Sequence, residues 1–146
     1  MTYSVVTLFE RDMDRLHAEI NLYKDETLLW KTIGTTTNTA GNLCLHLVGN
    51  LNHFIGAVLG NSGYVRERDA EFTLKNIPKR ELLASIFDVK KTMMHTLETL
   101  SPEDLKSDYP LQPFGYPVST GYFLLHLSGH LNYHLGQINY HRRTVK

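Results

Sequence analysis

Residues 120–143 read TGYFLLHLSGHLNYHLGQINYHRR, and the prediction of the fold starts from their spacing. Its apolar side chains return every three or four positions, which is the spacing of one face of an α-helix. These positions are Leu124, Leu127, Leu131, Leu135 and Ile138. Ser119 or Thr120 suits the N-cap position before them. We therefore predict a helix that begins there and ends near Arg143.

Three earlier stretches of the chain have the same helical spacing. We predict helices from Thr2 to Tyr23, from Asn38 to Leu59 and from Pro78 to Leu100. Proline suits the first turn of a helix, and the threonines and asparagine at 35–39 are good capping residues. Four amphipathic helices with little strand signal indicate an all-α protein, a four-helix bundle.

Two long connections separate these helices, and neither has the pattern of a regular element. Residues 61–77 can extend to roughly 55 Å, enough to run back along a helix of about 33 Å. They can therefore form a crossover between helices two and three, although the equally long connection 101–118 leaves the topology open. Within the first connection, RERDAEF from Arg66 to Phe72 is interpreted as a solvated loop. The alternative is that it presents Arg66 or Arg68 to an anionic substrate.

The composition indicates one globular domain, residues 1–146, with 42% hydrophobic residues. Lys plus Arg and Asp plus Glu are 15 each, and this balance argues against binding nucleic acid or a charged membrane surface. No segment has the length of a membrane span, and charges at residues 10–12 come too early for a secretory signal. The single cysteine, Cys44, cannot form an intramolecular disulfide. We expect a cytoplasmic protein.

The chain contains eight histidines, and several of them lie in the last predicted helix. His130 and His134 are four residues apart, so both imidazoles project from one helix face and can bind a single metal ion. A catalytic site of this kind needs a third protein ligand. We expect His46 of the second helix to supply it. His46 shares a stripe with Asn50 and His53 that can face the last helix.

Other polar residues lie near this predicted site. His126 and Gln137 extend the stripe of His130 by one turn on one side and two turns on the other. His126 and His53 are interpreted either as ordinary hydrogen-bonded residues or as partners of the ligand histidines. The remaining histidines are interpreted as structural: His17, His95 and His141.

Two stretches of the chain resemble each other. GNLCLHLVGNLNHFIG from Gly41 aligns with GYFLLHLSGHLNYHLG from Gly121, which pairs Gly49 with Gly129. A glycine inside a helix costs about 1 kcal/mol unless close packing requires it. Two interpretations of this alignment remain open. Either the two helices are equivalent and their glycines make close contacts, or the two stretches match only because both are rich in leucine.

The motifs LHLVGNLNHFIG, RERDAEF and HLSGHLNYHLGQI resemble the DinB/YfiT-like superfamily of bacterial metal-dependent proteins, and the resemblance extends over nearly the whole chain. It implies an up-down-down-up four-helix bundle that is often a homodimer. It also implies that His46, His130 and His134 bind one divalent metal ion. Members include thiol transferases that use bacillithiol or mycothiol and an isomerase of maleylpyruvate, whereas many others have no known reaction.

Two classes of function follow from these residues. The first is a metal-dependent transferase or hydrolase, in which a Zn, Ni, Fe or Mn ion acidifies a water or holds a substrate thiolate. The second is a non-catalytic module, a metal-stabilised dimer that binds a ligand or has a structural role. Asn50, Gln137 and Tyr133 are the nearest polar residues in sequence, and none is a strong base. This favours transfer of a low-molecular-weight thiol to a small electrophile, with no catalytic residue identified.

Overall fold

The computed structural model describes residues 2–146, which form six α-helices and no strand. Four helices are long: α1 (Thr2–Asn21), α2 (Ala40–Leu51), α4 (Lys79–Glu98) and α6 (Thr120–Thr144). Two are short: α3 (Arg68–Thr73) and α5 (Pro102–Lys106). The prediction of an all-α protein is confirmed, and the four long helices are those that the periodicity indicates.

The capping residues expected from the sequence set where two long helices begin. The Thr39 hydroxyl accepts a hydrogen bond from the backbone N–H of Asn42 and caps α2. The Ser119 hydroxyl accepts from the N–H of Tyr122 in the same way and caps α6. Beyond Leu51 the second helix continues as a π-helical segment, Asn52–Ala57, and so ends close to its predicted end.

The prediction that both long connections lack regular structure was wrong. Residues 61–77 contain α3, and residues 101–118 contain α5, whose first turn is closed by a reciprocal capping box between Ser101 and Asp104. A 3₁₀ helix, Glu26–Trp30, also lies between α1 and α2. These three elements have only five or six residues each. A segment of that length is too short for a helical hydrophobic period to be recognised.

The core lies between the four long helices. Helix α1 contacts α4 and α6, and α2 contacts the same two helices. The buried side chains of this core are the ones that recur every three or four residues, as an amphipathic helix requires. They include Phe9, Met13, Leu16, Ile20, Leu47, Leu51, Ile86, Met93, Leu127, Leu131 and Ile138.

Polar contacts fix the positions of the long helices along their length. The Lys79 ammonium at the beginning of α4 donates to the carbonyl of Tyr23, just beyond the end of α1. Asn132 of α6 donates at 2.6 Å to the carboxylate of Asp12, which is fully buried in α1. Within residues 2–146, no helix combines the length and apolar composition needed to cross a membrane.

Candidate metal centre

Three histidines of α2 and α6 bring their ring nitrogens together. His130 Nε2 lies 3.1 Å from His46 Nε2 and 3.2 Å from His134 Nε2. The three side chains offer one ligand atom each within 4.8 Å of one another. Two nitrogens bound to one Zn²⁺ in tetrahedral geometry would be about 3.3 Å apart. The three predicted ligand residues therefore have the separation that a shared cation requires.

The hydrogen-bond partners of the Nδ1 atoms of His46 and His134 indicate whether their Nε2 atoms carry a proton or a free lone pair. Glu71 Oε1 lies 3.0 Å from His46 Nδ1, and Gln137 Oε1 lies 2.7 Å from His134 Nδ1. Both oxygens are acceptors, so each Nδ1 carries the proton and each Nε2 has a free lone pair. His130 Nε2 can donate one hydrogen to only one of these lone pairs. A divalent cation satisfies all three nitrogens, so the donor set fits a metal.

The charge state of the histidines also suits a metal site. Burial lowers the pKa of His46, although its hydrogen bond to Glu71 acts in the opposite direction. Burial, with the neighbouring His134 and His46, lowers the pKa of His130 to about 4. His130 is therefore neutral at pH 7. Neutral imidazole is the form that binds metal ions.

A carboxylate that the sequence prediction missed lies beside the ligands. From the sequence we named only uncharged polar residues near the ligands, and the interpretation of Arg66 to Phe72 as a solvated loop was wrong. Residues 68–73 form α3, and Glu71 is only 6% exposed. Its carboxylate bonds to His46 Nδ1 and receives two hydrogen bonds at 2.9 Å from Arg66. Glu71 therefore orients the ring of His46, and Arg66 neutralises the charge of Glu71.

Glycine at position 49 makes room for this carboxylate. A Cβ built on Gly49 would collide with the carboxylate of Glu71. The close packing predicted for a glycine inside α2 is therefore present. The paired position in α6 differs, because a Cβ on Gly129 would meet no atom within 4 Å. The sequence did contain a signal for this carboxylate. A glycine inside a helix, Gly49, together with the acidic residues of RERDAEF, could have indicated a buried carboxylate near His46.

A cleft of about 280 Å³ opens beside the three histidines. His46 and His130 line it, as do two of the predicted pocket residues, Asn50 and His126. His126 is outside the group of three ring nitrogens and stacks on Phe123, with ring centroids 5.7 Å apart. Gln137 is outside the cleft, and its hydrogen bond with His134 connects it to the site.

His53 was predicted on the stripe of His46 and Asn50, but it does not line this cleft. The reason is the π-helical segment that begins at Asn52. A π-helix bonds residue i to i+5, so each residue turns less around the axis than in an α-helix. Phe54 therefore takes the position at the cleft that regular α-helical geometry would give to His53.

The other reactive side chains are elsewhere. His141 is buried, with Nδ1 2.7 Å from the Tyr23 hydroxyl and Nε2 2.7 Å from the carbonyl of Lys31, and these bonds give it a structural role. His95 is exposed on α4. Cys44 is fully buried in α2, and burial raises the pKa of its thiol to about 12.

The fold and the site together define an all-helical protein with a candidate three-histidine metal centre. The family profile of the DinB superfamily matches residues 8–138. The chain therefore belongs to the DinB superfamily, and the resemblance inferred from the motifs is confirmed.

Comparison with solved structures agrees on the fold. A crystal structure of a DinB-like protein from Bacillus cereus ATCC 10987 is similar, with a TM-score of 0.69 and 20% sequence identity. The similarity covers 90% of this chain and 84% of that chain. None of the curated proteins compared with the chain matches it.

Proposed function

We propose that the chain is a metal-dependent enzyme that transfers a low-molecular-weight thiol to a small electrophile. His46, His130 and His134 would hold one divalent metal ion. The observation that carries the proposal is that the three Nε2 atoms converge beside an open cleft, which two of the three residues, His46 and His130, line. A purely structural metal site has its ligands closed around it, whereas a catalytic site keeps access for a substrate.

The side chains around the cleft favour thiol transfer over hydrolysis. Among residues 2–146, no carboxylate lines the cleft. The buried Glu71 is engaged by His46 and Arg66, so it is not free to take a proton from water in the cleft. When bound, a divalent metal favours the thiolate form of a substrate thiol. In the transfer to a chlorinated acceptor, the thiol proton passes to solvent, sulfur bonds to carbon, and chloride leaves with the electron pair of the C–Cl bond.

The test combines metal analysis with an activity assay on protein purified without a histidine tag. Bacillithiol, glutathione or cysteine would be incubated with metal-loaded protein and a chlorinated aromatic acceptor. We expect close to one divalent ion per chain, with metal content and rate falling at least about tenfold in His130→Ala. The control is His95→Ala on the exposed face of α4. Equal rates for wild type and His130→Ala, with metal confirmed in the wild type, would instead support a non-catalytic module.

We also propose that the long helices form an up-down-down-up bundle. Lys79 at the beginning of α4 contacts Tyr23 beyond the end of α1, which supports opposite directions for these helices. Two hydrogen bonds join α1 to α6: Asn132 donates to Asp12, and Asn139 donates to Glu19. The residue numbers increase in the same direction along both helices, which supports a parallel arrangement. The connection 61–77 would then be the crossover.

A homodimer is the assembly that we propose for this chain. The outward face of α6 carries positions three or four residues apart that are either exposed apolar side chains or glycines. The side chains are Tyr122, Leu125, Tyr133 and Tyr140, and the glycines are Gly129 and Gly136. No residue from Ser119 to His141 carries a formal charge other than through histidine. An uncharged aromatic face of this length is unusual for a helix exposed to solvent.

The order of large and small side chains supports a second copy of α6 as the occupant of this face. If two copies pair in opposite directions about Leu131, Tyr133 of one copy lies opposite Gly129 of the other. Tyr122 likewise lies opposite Tyr140. A groove of about 680 Å³ next to Gly136 provides space for a side chain of the second copy. Such pairing of one surface with itself is the usual form of a twofold interface.

A further inference from the structure

The cleft beside the histidines has a positive charge that no residue of the cleft neutralises. Two arginines line it, but the guanidinium of Arg66 is held by Glu71 through two hydrogen bonds of 2.9 Å. The side chain of Arg68 is exposed and lies over the ring of Phe72, 5.7 Å from its centroid. Within residues 2–146, Arg68 forms no ion pair with a carboxylate, and no Asp or Glu lines the cleft. Arg68 is therefore available to an anion.

A second, independent observation points to a ligand in the same cleft. Asn50 lines it one turn after His46, and this residue is only 7% exposed. Its Oδ1 atom is buried without a hydrogen-bond partner. Leaving a buried acceptor unsatisfied costs about 1–3 kcal/mol, so such an atom is usually paired in the functional complex. Because Oδ1 is buried, a rotation of the Asn50 amide would be needed to present this unused acceptor to a ligand in the cleft with an N–H, O–H or S–H group.

The aromatic side chains that line the cleft indicate the chemical character of the rest of this ligand. Phe54, Phe114 and Phe123 contribute aromatic rings, and the ring of His126 lies edge-on to Phe114 with centroids 4.8 Å apart. Aromatic walls favour a flat, apolar group. A cleft of about 280 Å³ is small enough to restrict the ligand to a small molecule.

We propose that the cleft binds a small organic carboxylate with an apolar body. Its carboxylate pairs with Arg68, its hydrogen-bond donor meets Asn50, and its apolar part lies against the phenylalanine rings. Arg68 and Asn50 are then the residues that determine substrate specificity. This inference rests on the proposed function, because it names the chemical class of the molecule that enters the metal cleft.

The test measures binding rather than activity. Hippurate contains an aromatic ring, an amide N–H and a carboxylate, and hippuramide is its neutral analogue. Isothermal titration calorimetry would compare both probes on metal-loaded protein and on protein treated with EDTA. We expect hippurate to bind about tenfold more tightly than hippuramide to both forms, because a charge-assisted pair forms only with the carboxylate.

Variants assign this preference to named residues. Arg68→Gln should remove the preference for hippurate without changing the affinity for hippuramide, whereas Arg80→Gln at an exposed site on α4 should keep it. Asn50→Leu should lower the affinity for hippurate and for hippuramide by a similar factor. Equal binding of the two probes to wild type would overturn the proposal. So would a preference that persists in Arg68→Gln but disappears with EDTA, since the metal would then bind the carboxylate.

The proposed function can fail separately from this inference. Protein without metal, or with metal but no thiol transfer, would refute the proposed enzyme. The preference for hippurate in EDTA-treated protein depends only on the cleft residues, so it would still be observed if Arg68 binds carboxylates.

Discussion

The Glu71 carboxylate occupies the space beside Gly49 that any side chain at that position would need. This contact explains why α2 contains a glycine in its interior, at a cost of about 1 kcal/mol in helix propensity. The close approach lets Glu71 reach His46 Nδ1 and fix the orientation of its imidazole. The backbone of α2 therefore helps to shape the candidate metal centre, because the missing side chain at Gly49 makes room for Glu71.

Replacing this glycine should weaken metal binding. In Gly49→Ala the new Cβ displaces the Glu71 carboxylate, so His46 loses the acceptor that orients its ring. We expect a loss of metal affinity of about 10–100-fold. Competition for Zn²⁺ with a chelating dye would measure it. Gly129→Ala is the matched control, because its Cβ meets no atom of its own chain within 4 Å; at a concentration where both proteins are monomeric, its affinity should equal that of the wild type. Wild-type affinity in folded Gly49→Ala would contradict the role assigned to Glu71.

Substitutions of Glu71 itself should separate its hydrogen bond from its charge. Glu71→Ala removes the acceptor of His46 Nδ1, and we expect metal affinity to fall about 10–100-fold. Glu71→Gln should lose less, because an amide oxygen can still accept from Nδ1. The same dye competition applies, and Glu67→Ala, at an exposed carboxylate of the same connection, should leave affinity unchanged. An Ala variant that binds as well as the wild type would show that His46 needs no partner.

The thiol of Cys44 should not react in the folded protein. At pH 8.5 an exposed cysteine is about half ionised and is readily modified. Burial raises the pKa of Cys44 to about 12, so its thiol remains protonated at pH 8.5 and reagents cannot reach it. Iodoacetamide labelling followed by mass spectrometry should detect no product in native protein and complete modification in urea. Labelling at equal rates in both conditions would show that Cys44 is accessible.

A charge placed on the outer face of α6 should prevent dimer formation. Tyr133 is 66% exposed on that face, and in the proposed dimer it packs against Gly129 of the second copy. Tyr133→Glu would bury a carboxylate without a partner, so we expect the monomer mass in light scattering. Tyr3→Glu, an exposed site on α1, should keep the dimer. A wild-type chain that is monomeric at high concentration would refute the proposed interface.

The sequence was sufficient for the long helices and for the pair His130 and His134 because both depend on local spacing, whereas His46, 84 residues before His130, was assigned with the help of the family motif. Leu127, Leu131 and Ile138 repeat with the period of the helix that contains them, and His130 and His134 share a face for the same reason. Glu71 could not be found in this way. It lies 25 residues from His46 along the chain, and its burial depends on how α3 packs against α2. Neither the short helix nor that packing leaves a periodic pattern in the sequence.

The π-helical segment Asn52–Ala57 has a consequence for comparing relatives of this chain. A turn of π-helix contains about one residue more than a turn of α-helix, so the segment corresponds to the insertion of a single residue into an α-helix. Deleting one residue between 51 and 54 and restoring regular α-helical geometry would keep Phe54 at the cleft, whereas restoring that geometry without the deletion would bring His53 there. An alignment without a gap can therefore place His46 correctly and still assign the wrong cleft residue one turn beyond Asn50. The choice is between the aromatic ring of Phe54 and the imidazole of His53, which are adjacent in the sequence.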